Sequence, residues 1–228
     1  MRPCVRRERV PMMERLAGRA AGIDGLILSP LELATIRPLV GPDMLLVTPG
    51  STAVVESPCY QGAAYVLESL GAKRHPVPAD RDGLHVTKLP KVDGALASVT
   101  PSHQYPIGVT MSLQRRIELL AWATQYGAYI IEDDYDSDFR FVGSPLTALK
   151  GLDRNERVIY LGTFSKCMGP GLRLGYVVAP RRLVDSFRRM KMLMNNGQSW
   201  LEQAAMADLD RKSTRLNSSH GYISYAVF

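Results

Sequence analysis

Three apolar runs that break off into chemically active side chains constrain this chain more than any other feature of its 228 residues. Val158-Ile159-Tyr160-Leu161 runs into Gly162-Thr163-Phe164-Ser165-Lys166. Tyr129-Ile130-Ile131 runs into Glu132-Asp133-Asp134-Tyr135, and the span from Ala95 to Val99 runs into Thr100-Pro101-Ser102-His103. Short apolar runs bounded by turn signals read as buried strands. Amphipathic segments separate them. Ser112 stands as the N-cap of a helix whose apolar positions Leu113, Ile117, Leu120, Ala121 and Ala123 follow helical spacing up to Gly127. The same reading gives strands at 54–56, 75–77, 95–99, 128–132, 157–161 and 173–178, and helices at 61–70 and 182–194. Strands alternating with helices predict an α/β fold with a mainly parallel sheet and helices on both faces.

The hydrophobic content of 46% is that of a globular domain with one sizeable core. No apolar run reaches membrane-spanning length, and the start at Met1-Arg2-Pro3-Cys4 lacks the apolar segment of a signal peptide, so a cytoplasmic location is expected. Cys4, Cys59 and Cys167 form no CxxC spacing and point to neither a disulfide framework nor a zinc site. The net charge of +6 invites a nucleic-acid reading, but it sits at the ends. Six arginines against two glutamates give residues 1–20 a charge of +4, and Arg211, Lys212 and Arg215 add +3, which leaves 21–210 at −1. A nucleic-acid footprint needs clustered basic charge on a folded face, and the patterned part of this chain has no such excess.

Open α/β sheets bind ligands outside the carboxyl ends of their strands. There the chain offers the amine of Lys166, the hydroxyls of Thr163 and Ser165, and the guanidinium of Arg173 from Pro170-Gly171-Leu172-Arg173. An amine that can form a Schiff base, with hydroxyl and guanidinium donors for a phosphate ester, is the set that pyridoxal 5'-phosphate (PLP) requires. A buried carboxylate would keep the pyridine nitrogen of that cofactor protonated, and Asp133 is the choice for it. Tyr135, two residues on, could donate its phenol to the ring oxygen. Other readings stay open. Asp133 and Asp134 could form a magnesium pair, although the GxxxxGK[ST] loop that nucleotide hydrolases place beside one is absent. Ser102, His103 and Asp133 suggest a hydrolytic triad, but no GxSxG turn presents the serine. Met190, Met192 and Met194 read as helix packing and not as a binding surface.

The segments TPSHQYPIGVTMS (100–112), IIEDDYDSDFR (130–140), VIYLGTFSK (158–166) and GLRLGYVVAP (171–180) together resemble fold-type-I aminotransferases. The resemblance is nearest to the aminotransferase-like half of MocR-type regulators of the GntR family, and it covers roughly Asp43 to Leu209. It implies an incomplete PLP-dependent transferase large domain at 41–210, with 1–40 hard to assign. It also implies that Lys166 is the Schiff-base lysine, acting afterwards as general acid and base. Asp133 is then the partner of the ring nitrogen, and Tyr135 contacts the ring oxygen. Thr163, Ser165 and Arg173 hold the phosphate. Tyr60, in Glu56-Ser57-Pro58-Cys59-Tyr60, packs near the cofactor face unless it packs on the sheet as a helix residue; His103 is a further residue to touch cofactor or substrate. The implied substrate or effector is an amino acid or amine, the implied assembly a homodimer, and any contact with DNA would run through a winged helix upstream.

Three departures from the family pattern carry expectations of their own. Tyr105, in Tyr105-Pro106-Ile107-Gly108, stands where many aminotransferases have the asparagine of Asn-Pro-Thr-Gly, as in MocR-type chains. Pro42 to Thr52 resembles the strand and phosphate-cradling turn that open a helix, yet Ala53-Val54-Val55-Glu56 follows at once as a strand, so that helix is expected to be missing. After Asp210 the text Arg211-Lys212-Ser213-Thr214-Arg215-Leu216-Asn217-Ser218-Ser219-His220 loses its apolar period and reads as an adapter-derived tail, 211–228, with no small C-terminal domain behind it. A chain so altered is expected to be poorly soluble, to hold PLP weakly if at all and to show no transaminase activity by itself.

Overall fold

In the computed structural model the described residues are 23–24, 50–136, 147–166, 173–195 and 200–217. Cys4, Cys167, the expected turn at 42–49 and most of 1–40 lie outside them. Fourteen elements follow, named here in chain order. They are β1 (Ile23–Asp24), β2 (Thr52–Ser57), α1 (Gln61–Ser69), β3 (Lys73–Asp80), β4 (Gly83–Leu84), a 3-10 turn (Val86–Lys88), β5 (Leu96–Val99), α2 (Leu113–Gln125), β6 (Tyr129–Asp134), α3 (Leu149–Leu152), β7 (Val158–Thr163), β8 (Gly175–Val178), α4 (Arg181–Asn195) and α5 (Trp200–Asn217).

The strands form one sheet in the order β1-β8-β7-β6-β5-β2-β3-β4. Its central five strands run parallel, from β7 through β6, β5 and β2 to β3. Antiparallel pairs close it at both ends, β8 between β7 and β1 on one side and β4 on β3 at the other. Both edge strands are two residues long, and β4 pairs only with Ala79 and Asp80 of β3. Expected strand 75–77 is longer than its apolar centre suggests, because Pro76 and Pro78 stand two apart. Period two puts both missing N–H groups on one edge, while the other edge pairs with β2.

Alternation along each strand divides the core between two faces. Val54, Ala97, Val99, Ile130 and Val158 point to one face and pack against Leu119, Trp122 and Ala123 of α2. Ala53, Val55 and Leu96 point to the other, under Ala64 and Leu67 of α1. Ile159 and Val177 on that same face lie under Leu183 and Phe187 of α4. Helices therefore cover both faces, as the α/β pattern predicts. Ser112 caps α2, its hydroxyl oxygen accepting from the amide N of Arg115 at 3.4 Å. In α4 the buried stripe is Leu183, Phe187 and Met190, and Met192 falls off it, so the reading of Met192 as helix packing is corrected: it is exposed.

Two of the departures adjoin described residues. The chain turns at Gly50, whose φ of 90° suits glycine, and enters β2 at Thr52 with no helix between. At the other end α5 continues through Arg211 to Asn217, a helical stretch that the loss of apolar period does not announce.

Candidate functional site

The chain leaving β2 crosses to α1 on one face, and the chain leaving its parallel neighbour β5 crosses to α2 on the opposite face. Connections that diverge in this way open a crevice outside the strand ends. The residues singled out from sequence all come from this end of the sheet. Tyr60 follows β2, His103 follows β5, Asp133 and Tyr135 end β6, Thr163, Ser165 and Lys166 end β7, and Arg173 precedes the antiparallel β8.

Asp133 and Asp134 are separated by the pleat. Asp134 is buried on the α2 face and its Oδ2 accepts the phenol proton of Tyr160 at 2.6 Å. Glu132 on that same face accepts from the amides of Leu149 and Lys150, both at 2.8 Å, and lies 4.0 Å from the buried guanidinium of Arg116. Asp133 points the other way. Burial, with the neighbouring carboxylates of Asp134 and Asp136 behind it, raises its carboxyl to about 6. Burial likewise pushes the Tyr135 phenol up to about 12, assisted by Asp136 and Asp133, so Tyr135 is a proton donor at neutral pH.

At the end of β7 the Thr163 hydroxyl oxygen accepts from the amide of Ser165 at 3.1 Å, and the two hydroxyls lie 3.0 Å apart. Lys166 follows them, exposed. The amide of Phe164 donates to the carbonyl of Leu174 at 3.1 Å, which extends the β7–β8 ladder and brings Arg173 beside this turn. Arg173 is exposed and has a φ of 50°, in the left-handed region that a β-carbon disfavours. Backbone held in such a conformation collects at binding sites.

Four rings form a continuous wall. Tyr60 meets Tyr105 edge to face with centroids 6.0 Å apart, Tyr105 meets Tyr135 at 6.2 Å, and His103 lies 6.1 Å from Tyr135. His103 Nδ1 reaches Asp136 Oδ2 at 2.7 Å. Tyr60 does not pack on the sheet. It is 56% exposed at the N-terminus of α1, and its ring lies over Gly62, where a β-carbon would sit 2.5 Å from it and push the ring aside.

Several residues of this end carry no motif and escape sequence reading. Glu56, Thr100 and Gln104 are buried polar residues. Glu56 Oε2 accepts from the Thr100 amide at 3.1 Å, the Thr100 hydroxyl at 2.7 Å and Gln104 Nε2 at 3.4 Å. Burial raises the Glu56 carboxyl above the usual carboxylate range against these bonds. Asp136, the partner of His103, is the fourth. A polar residue next to a motif, such as Gln104 within SHQYP, was the one available signal.

A mainly parallel sheet flanked by helices, with this set of groups at its strand ends, defines the class: an aminotransferase domain of the PLP-dependent fold-type-I kind. The family model described as aminotransferase class I and II matches residues 39–222, and the chain belongs to that family. It is 43% identical over 164 residues to the probable rhizopine catabolism regulatory protein MocR of Rhizobium meliloti, covering 72% of this chain and 33% of that one. It is 41% identical over 164 residues to an uncharacterized HTH-type transcriptional regulator, YhdI, of Bacillus subtilis, covering 72% and 35%. The kynurenine aminotransferase of Pyrococcus horikoshii, solved with PMP, superposes with a TM-score of 0.67 at 30% identity over 86% of this chain and 50% of that one. The chain thus spans about a third of the length of the curated relatives it matches. No helix among the described residues is long and apolar enough to cross a membrane.

Proposed function

We propose that this chain belongs to a PLP-binding unit whose chemistry, in the whole protein, is transamination of an amino acid or amine. The observation that supports it best is one juxtaposition. A desolvated carboxyl, Asp133, ends β6 two residues before Tyr135, and the neighbouring β7 ends in Thr163, Ser165 and Lys166. The donor set suits the cofactor. Bound PLP supplies an electron sink for charge developing at a substrate carbon. The Lys166 amine would hold the cofactor covalently and afterwards carry a proton as general acid and base. Asp133, once ionised, would pair with the ring nitrogen and retain its proton. Tyr135 would donate to the ring oxygen, and Thr163, Ser165 and Arg173 would bind the phosphate. Tyr60 would lie against the ring, with His103 at the same wall.

The assigned residues fall within 41–210; neither 1–40 nor the tail 211–228 contributes one. The unit is proposed to act in the cytoplasm and as a homodimer. A second reading is favoured by the regulator relatives, which are 43% and 41% identical. In it the same site senses an amino acid or amine for a MocR-type transcription regulator, and DNA is read by a separate winged helix.

One experiment supports or overturns the enzyme reading. The whole protein, loaded with PLP, is incubated with each of the common amino acids and amines, and both cofactor absorbance and keto or aldehyde product are followed. Transamination gives product in proportion to the cofactor converted. An absorbance change without product favours the sensor reading, and no change with any amine contradicts both.

A further inference from the structure

The crevice between β2 and β5 lies where two connections leave in opposite directions, and nothing in the strand ladder itself fixes the loops that line it. Gln104 does so instead. It is 1% exposed, and its side-chain nitrogen donates to Pro58 O at 2.7 Å, to Tyr105 O at 2.9 Å and towards Glu56 Oε2 at 3.4 Å. Its side-chain oxygen accepts from the amide of Ile107 at 3.1 Å. The backbone of Gln104 is tied to the same loop, its amide donating to Val109 O at 2.8 Å and its carbonyl accepting from Gly108 at 2.6 Å.

The partners fall into two groups. Pro58 and Glu56 belong to the chain that leaves β2 and presents Tyr60, and the carbonyl of Tyr105 with the amide of Ile107 belongs to the chain that leaves β5. Glu56 anchors the far end, because its Oε2 also accepts both the amide and the hydroxyl of Thr100, and that hydroxyl in turn accepts from the amide of Tyr105 at 3.2 Å. The two chains thus meet at the strand ends through Glu56 and Thr100, and further out through the side-chain amide of Gln104. Their exposed ends meet through the edge-to-face contact of Tyr60 with Tyr105. We infer that Gln104, anchored on Glu56, is a positioning residue that sets the spacing of Tyr60 and Tyr105 and so the width of the wall against which the cofactor ring would lie. This inference rests on the cofactor reading above only for what the wall receives.

A double-mutant cycle tests it in the 228-residue chain without cofactor. Tyr60→Ala and Tyr105→Ala are measured singly and together in urea unfolding, first with Gln104 and then with Gln104→Met. Rings in contact make the double variant lose about threefold less in the unfolding constant than the product of the single losses. With Gln104→Met that factor falls to about one. A factor retained at its full value overturns the inference. Gln104→Leu removes both donor and acceptor with a shorter side chain, and repeats the test should the methionine variant fail to fold. Loss of cooperative unfolding in both variants overturns the inference too, since Gln104 would then hold the whole fold and not a spacing.

The second readout is PLP itself, added as the free compound, and its affinity falls on the order of tenfold in Gln104→Met. Equal affinity in the two proteins overturns the inference and leaves the cofactor reading intact. A parent chain that binds no PLP while the ring coupling behaves as stated overturns the cofactor reading and leaves the positioning role intact.

Discussion

Tyr160 donates its phenol proton to Asp134 Oδ2 at 2.6 Å, from a neighbouring strand and on the face of the sheet opposite to Asp133. Oδ1 of Asp134 is buried without a hydrogen-bond partner, so this phenol is what compensates the carboxylate. Removing the hydroxyl in Tyr160→Phe leaves a buried acceptor unpaired and is expected to cost about 1–3 kcal/mol in urea denaturation. Unchanged stability would mean that Asp134 finds another partner.

Asp133 gives a pH signature with a definite sign. Its folded pKa, about 6, lies above the ordinary value of 3.8, so the native state holds the extra proton. The resulting stabilisation is complete below pH ~4 and is lost as the pH rises through ~6. At pH 8 the cofactor-free protein therefore carries a burial cost on the order of 3 kcal/mol that Asp133→Asn lacks. Denaturation curves of the two proteins should separate in favour of the variant at pH 8 and converge near pH 4. Curves that run parallel across this range contradict the assignment, and the stabilised variant is expected to lose PLP.

Arg116 has no exposed surface and donates to Met111 O at 3.0 Å, Pro101 O at 2.7 Å and Thr147 O at 3.1 Å, with Glu132 at 4.0 Å. It joins the loop after β5 to the start of α3. Arg116→Met removes the guanidinium donors to the Met111 and Thr147 carbonyls, leaves Pro101 O with the Met111 amide alone and takes the cation from beside Glu132, and a loss of about 3–5 kcal/mol is expected. A loss below about 1 kcal/mol would place the guanidinium outside the structural core.

Arg173 should show opposed effects. With φ at 50°, Arg173→Gly relieves a disfavoured backbone and is expected to raise the cofactor-free stability by about 0.5–1 kcal/mol. The same change removes a guanidinium proposed to hold the phosphate, and PLP affinity should fall about tenfold. Calorimetric melting with a PLP titration reads both, and a glycine variant that binds as tightly as its parent contradicts the phosphate role.

Much of this arrangement was legible because short apolar runs ending in Lys166, Asp133 and His103 leave few folds other than a parallel sheet with its chemistry at one end. Strand alternation also separates Asp133 from Asp134, since adjacent residues cannot share a face. Glu56 and Gln104 were not legible. Their importance lies in burial and in bonds to residues such as Thr100 and Pro58, and neither leaves a period in the sequence. Tyr60 was left between two readings for a related reason: its placement depends on the space above Gly62, which sequence spacing does not encode. The helix from Arg211 to Asn217 continues α5 without an apolar stripe of its own, which is why no periodicity marked it.

The central claim is that Lys166 is the amine that holds PLP. Incubating the chain with PLP, reducing with borohydride and mapping the modified peptide by mass spectrometry tests it most directly. A phosphopyridoxyl mass on Lys166, lost in Lys166→Ala, is the expected result. The same mass on another lysine, persisting undiminished in Lys166→Ala, would contradict it.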